Sequence, residues 1–135
     1  MALQFSVAVR NAMLDAIETG VGTSARVKIR TGSVPANCAA ADTGTVLADV
    51  SCPSDYMAAA SSGSKAKTGT WQDTSADATG TAAHFRVYAS DGTTCHAQGT
   101  VTATGGGGDM ELDTVSLVAT QLFTITAFTI NAGNP

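Results

Sequence analysis

The chain has 135 residues, enough for one domain with a modest core. Ala, Thr and Gly supply 58 of them and only 13% are charged, against about 25% in an ordinary domain. A net charge of −4 with no basic stripe excludes nucleic acid as an expected partner, and no apolar run approaches the roughly 20 residues that span a bilayer, so no membrane is expected either.

So little charge is unusual for a monomer that must stay dissolved alone, and it suits a subunit whose surface is covered by neighbours. A small β-domain with threonine-rich outer faces is the plainer reading. The stretch Met1-Ala2-Leu3-Gln4-Phe5 lacks a positive segment and a continuous apolar one, so synthesis and first folding in a cytoplasm are expected. Of the three cysteines, Cys38 and Cys52 can close a short loop in an oxidising medium; the alternative is three small buried thiols.

In chain order, Phe5–Thr19 predicts an amphipathic helix. Phe5, Val9, Ala12, Met13, Ala16 and Ile17 fall on one face, with Ser6, Arg10, Asn11, Asp15 and Glu18 opposite, and Gly20 and Gly22 supply the stop. The apolar stripe is expected to dock on a sheet, or else on a neighbouring subunit. Ala25–Thr31 alternates as a half-buried strand, with Val27 and Ile29 inward and Arg26, Lys28 and Arg30 outward. That basic row is the candidate partner contact, its alternative an edge strand protected by charge.

Residues 32–44 read as a loop and Thr45–Cys52 as a strand. Tyr56–Lys67 reads as flexible, with a helical turn over Asp55–Ala60, and Lys65–Asp73 as a strand carrying Trp71. His84–Val101 reads as a hairpin. A three-residue loop, Ser90-Asp91-Gly92, puts Gly92 in the left-handed position and opposes Val87 with Cys95, Phe85 with Ala97 and Arg86 with His96. Four glycines at 105–108 form a turn, and short strands follow over Asp109–Thr114 and Ser116–Thr120. In the final strand, Leu122–Ile130, the apolar phase changes near Ala127, which a bulge or a crossing between two packed sheets would explain. The fold class expected is mainly β: an antiparallel β-sandwich or jelly-roll-like barrel with one N-terminal amphipathic α-helix. It forms a single domain over 1–135, with a helix or arm over 1–22 and a β-body over 25–130.

Chemistry finds little purchase. Cys38, Cys52, His84, Cys95 and His96 lack the close spacing of a zinc site. His84 and His96 share the Arg86 face in the expected register, but no serine sits in a nucleophile elbow, so the protein is not expected to be an enzyme. Asp109, Glu111 and Asp113 alternate as an acidic row: a solvated face, a calcium site, or a contact for a basic row such as Arg26, Lys28 and Arg30. The glycine run has no following Lys-Ser or Lys-Thr and is not a phosphate loop.

Several segments carry a resemblance: the helix Arg10-Asn11-Ala12-Met13-Leu14-Asp15-Ala16-Ile17, the strand Gly80-Thr81-Ala82-Ala83-His84-Phe85-Arg86-Val87-Tyr88, the segment Gln98-Gly99-Thr100-Val101, the glycines before Asp109, and the ending Phe128-Thr129-Ile130-Asn131-Ala132-Gly133-Asn134. Together, over most of the chain, they resemble small structural proteins of tailed bacteriophages. The resemblance implies a virion component made in the host cytoplasm. First choice is a capsid decoration (cement) protein, a homotrimer on the lattice of the major capsid protein, without cofactor or turnover; the runner-up is a tail, neck or fibre-associated component. Met1–Phe5 and Asn131–Pro135 are then candidate contact segments. The competing class is a carbohydrate-binding β-sandwich with Trp71, Tyr88 and Tyr56 as a stacking platform.

Overall fold

The computed structural model describes residues 2–134. Ser6 is extended and its Oγ accepts the Val9 N–H at 3.3 Å, which opens helix α1 (Val7–Val21). Gly22, at φ +90°, closes it by donating its N–H to the Glu18 carbonyl. The helix starts and ends two residues later than its apolar pattern predicts, because Ser6 is the side chain that can cap it.

Eleven short strands follow: β1 (Arg26–Arg30), β2 (Val46–Ser51), β3 (Ser64–Ala66), β4 (Trp71–Asp73), β5 (Gly80–Thr81), β6 (His84–Tyr88), β7 (Cys95–Ala103), β8 (Met110–Leu112), β9 (Ser116–Leu117), β10 (Phe123–Ile125) and β11 (Thr129–Asn131). Seven of them make one sheet in the order β10-β4-β2-β1-β6-β7-β8, nearly closed into a barrel. Every pairing in it is antiparallel except β7 with β8. β11 pairs with β3, and β5 with β9, as separate two-stranded sheets. The fold is therefore mainly β with one helix, as the composition and periodicity predict.

The core lies on the concave side of the main sheet. Val27 and Ile29 on β1 sit opposite Val50 and Ala48 on β2 and opposite Val87 and Phe85 on β6, and all six are buried. Trp71, Val101, Met110, Leu112, Phe123 and Ile125 complete the same cluster. Burying each large side chain of this kind contributes about 1.5–3 kcal/mol.

β1 is central rather than an edge, so the charge row on it does not protect a sheet margin. The strand expected over Lys65–Asp73 is two strands, parted at Gly69, which sits at φ +67°. The helical turn expected at Asp55–Ala60 is absent; Met57 bridges Lys67 in an extended segment instead.

In the β6–β7 hairpin the partners are Phe85 with Gly99, Arg86 with Gln98 and Val87 with Ala97, two residues along from the predicted register. The loop is longer than three residues: Ala89 donates to the Thr94 carbonyl, and a register shift follows between Val87 and Tyr88. The faces of 85–87 and 97–99 survive because the displacement is even, but Cys95 changes sides: past the bulge it pairs with Tyr88 on the outer face and not with Val87 on the core face. Gly92 does take the left-handed conformation, at φ +71°, and the Asp91 carboxylate accepts the N–H groups of Thr93 and Thr94 beside it. Those hydrogen bonds, that from the Thr94 hydroxyl first, hold the Asp91 carboxyl well below the usual carboxylate range.

The phase change near Ala127 marks a crossing between sheets. β10 ends in the main sheet at Ile125, β11 begins in the second at Thr129, and both Phe128 and Ile130 pack on the core.

Candidate interaction surface

Helix α1 lies on the body by its polar side. Asp15 Oδ1 accepts the Ala60 N–H at 2.9 Å, Asn11 Oδ1 the Gly63 N–H at 2.9 Å, and Glu18 Oε1 the Met57 N–H at 3.4 Å. The segment 57–63 has few ladder partners for its backbone donors, and the helix supplies acceptors for them. Lys65 on β3, 2% exposed, places its ammonium 2.8 Å from Asp15 and 3.0 Å from Glu18. Burial lowers the Lys65 pKa, but the hydrogen bonds its ammonium donates to both carboxylates outweigh it and the net shift is upward. Leu14 and Val21 are the buried apolar residues of the helix.

The predicted apolar stripe faces the other way. Phe5, Val9 and Met13 are 42%, 44% and 51% exposed, with Ala12 and Ala16 exposed beside them and Leu3 more exposed still. Of that stripe only Ile17 reaches the core. Among the described residues, five of the seven large exposed hydrophobic side chains lie between Leu3 and Met13; the other two are Val118 and Leu122. The patch is held in place at both ends. Phe5 and Asn134 exchange two hydrogen bonds of 3.0 Å, and Arg10 donates to the Ala132 carbonyl at 3.0 Å. The two candidate contact segments are therefore tied to each other; their outermost residues, Met1 and Pro135, lie outside the described residues.

The basic row is spent mostly inside the fold. Arg26 makes two hydrogen bonds to Asp49, at 3.0 and 2.7 Å, and Lys28 lies 3.9 Å from the same carboxylate and 5.0 Å above the Tyr88 ring. Arg30, only 6% exposed, pairs with Asp42 at 2.9 Å. The cause is the 32–44 loop, which folds back over the outer face of β1 and β6. Arg86, buried opposite Lys28, donates to the carbonyls of Asn37, Cys38 and Ala40 and to the Asp42 carboxylate, which also accepts the Tyr88 hydroxyl at 2.6 Å. Burial raises the Asp42 carboxyl, yet Tyr88, Arg86 and Arg30 together hold it below its ordinary value. As a partner contact the row is reduced to Arg26 and Lys28, since the Arg30 guanidinium is enclosed.

The acidic row meets neither a cation nor the basic row. Asp109 accepts the Thr100 N–H and hydroxyl, Glu111 the N–H groups of Gly105 and Gly107, and Asp113 the Thr126 hydroxyl. These bonds fasten the glycine turn that lets β8 run parallel to β7. The two histidines do not converge. His84 is buried, its Nδ1 2.8 Å from the Gly32 carbonyl, while His96 is the exposed extra residue of the hairpin bulge, between Cys95 and Ala97. Among the described residues no group of three or more His, Cys, Asp or Glu is placed to hold a metal, and no helix is long and apolar enough to cross a membrane.

The aromatic rings do not form a surface platform: Trp71, Tyr56 and Tyr88 are at most 3% exposed. Trp71 donates to the Tyr56 carbonyl at 3.1 Å and stacks tilted against Tyr56 and Phe128. These rings line one side of a cleft of about 560 Å³ between the β6–β7 hairpin and β11.

Cys52 is buried, and burial pushes its thiol up to about 12. Cys38, on the folded-back loop, lies beside Cys95 rather than Cys52, and the Cys95 thiol donates to the Ala97 carbonyl at 3.4 Å. Comparison of the chain with protein-family profiles, curated proteins and solved structures finds no match.

Proposed function

We propose that the protein is a structural subunit of a tailed-bacteriophage virion, most simply a homotrimeric decoration (cement) protein that binds the lattice of the major capsid protein and stabilises it. One observation carries the reading: a rigidly anchored helix turns its apolar face outward while its charged side chains are used to hold it down. Such a face is what a subunit of an assembly needs, whether it meets a lattice or its own copies, and it is costly for a protein that acts alone. Many copies engaging a repeating partner gain avidity from individually modest contacts, and binding the assembled shell preferentially stabilises it by mass action. The low overall charge supports the same reading.

The test is made on purified particles from the encoding genome. Mass spectrometry is expected to find the chain in stoichiometric amount, and imaging to show it as a periodic layer of knobs on the head. Density confined to the neck, tail or fibres would replace the cement role with that location. Absence of the chain from the particle would refute the virion reading.

A further inference from the structure

We infer that the outward face of α1 is a self-association surface, whose occupant is the same face of another copy of this chain. The inference takes up the assembling role proposed above, and its test uses purified protein alone, so that either can fail while the other stands.

Three observations select a second copy over another partner. The first is area. Leu3, Phe5, Val9, Met13 and the two alanines form one exposed apolar patch on the order of 400 Å². A homo-oligomer interface about 65% apolar built on it would bury roughly 600 Å² per partner, the lower end of the standard size class. The second is spacing. Val9, Ala12 and Ala16 advance by three and four residues along the helix, the two-per-heptad rhythm of a seam between helices, and Phe5 extends the same apolar face from the segment before the Ser6 cap. Small side chains at 12 and 16 let the axes approach at the near end of the usual 8–10 Å range, and Val9 and Met13 project beside them.

The third observation is charge. The face carries none: Arg10 is taken by Ala132, and Asp15 and Glu18 by Lys65 and the 57–60 backbone. Identical copies meet across it without like-charge repulsion, whereas a charged partner would find nothing to pair with. The face is also preformed, because the Phe5–Asn134 exchange fixes the arm before any partner arrives, so little ordering is left to oppose association.

The test is sedimentation velocity or light scattering on the untagged full chain, from about 1 to 100 µM, where interfaces of this size assemble. Wild type is expected at two or three times the 13.5 kDa of the chain at the upper end. Val9→Glu and Met13→Lys are expected to weaken assembly at least tenfold. Val9 is the third helical residue after Ser6, so Val9→Glu completes a capping box and favours the helix. An unchanged circular dichroism spectrum and thermal midpoint then separate lost association from lost folding. Leu122→Glu, at the remote exposed leucine, is expected to leave assembly intact. A wild type that stays at 13.5 kDa throughout overturns the inference, as does an oligomer that survives both helix variants or yields only to Leu122→Glu.

Discussion

At the residue scale, His84 shows how much chemistry a histidine can carry without being catalytic. A carbonyl only accepts, so the contact with Gly32 fixes the proton on Nδ1 and leaves Nε2 buried without a partner. Burial first, then the nearby Arg30 and Arg86, lowers the His84 pKa below 6.5; Asp42 and the Gly32 carbonyl oppose that only in part. The unfolded chain therefore binds the proton more readily. Stability from this group is complete above about pH 6.5 and is lost as pH falls through the lower folded value. Thermal midpoints are expected to drop by several degrees between about pH 7 and pH 5, with His84→Gln showing a flatter profile over the same interval. An equal slope in both proteins would remove His84 as the cause.

The cysteines permit a second residue-level prediction. The sequence makes Cys38 and Cys52 the nearest pair along the chain, but the 32–44 loop carries Cys38 to Cys95. On treatment with a small-molecule disulfide, exchange releases two reduced thiols per protein disulfide formed, and the expected bond joins Cys38 to Cys95. Cleavage before aspartates gives separate peptides for the three cysteines, so mass spectrometry reads the pairing directly. A Cys38–Cys52 peptide would contradict the placement of the loop. Nothing local in the sequence announces this neighbour: it depends on buried Arg86 recruiting three loop carbonyls from 46 to 49 residues earlier in the chain.

At the scale of elements, α1 was legible as a helix, and its faces were divided correctly except that Ile17 turns inward beside Leu14, which the periodicity had left unplaced. What periodicity alone could not give was which face turns inward. The usual rule puts the apolar stripe against the body. Here the 57–65 segment offers backbone N–H groups and the Lys65 ammonium, and these require acceptors. Satisfying buried donors outweighs burying a stripe of valine, alanine and methionine that another molecule can cover. Lys65→Met is expected to destabilise the fold by about 2–3 kcal/mol, because Glu18 would keep its place beside an apolar side chain without its cation. Chemical denaturation measures this; a change near zero would mean that the helix is held mainly through Leu14 and Val21. The hairpin teaches a related lesson. Alternation identified its faces, but the four-residue connection and the bulge came from Asp91 binding the backbone of Thr93 and Thr94, a preference that outweighed the shorter loop.

At the scale of the whole molecule, the β-class was readable, and so was the break in the last segment, for which a crossing between sheets was one of two readings. Each follows from local alternation and from where that alternation breaks, as it does between Ile125 and Thr129. Strand order was not readable. β1 lies between β2 and β6, and β10 returns to β4, through pairings distant along the chain that no periodicity encodes. Centrality explains the fate of the candidate contact row. On a marginal strand Arg26, Lys28 and Arg30 would face solvent, but in the middle of the sheet they share their side with Asp49 on β2, which pairs with Arg26 and Lys28, and with a returning loop whose Asp42 pairs with Arg30 and Arg86.

The reciprocal bonds between Phe5 and Asn134 place both ends of the described chain at one spot, beside Phe5 at the start of the outward apolar face. Purification handles or fused cargo at either terminus would consequently sit as a steric cap over that side. A tagged preparation could then look solitary for reasons unrelated to the native molecule.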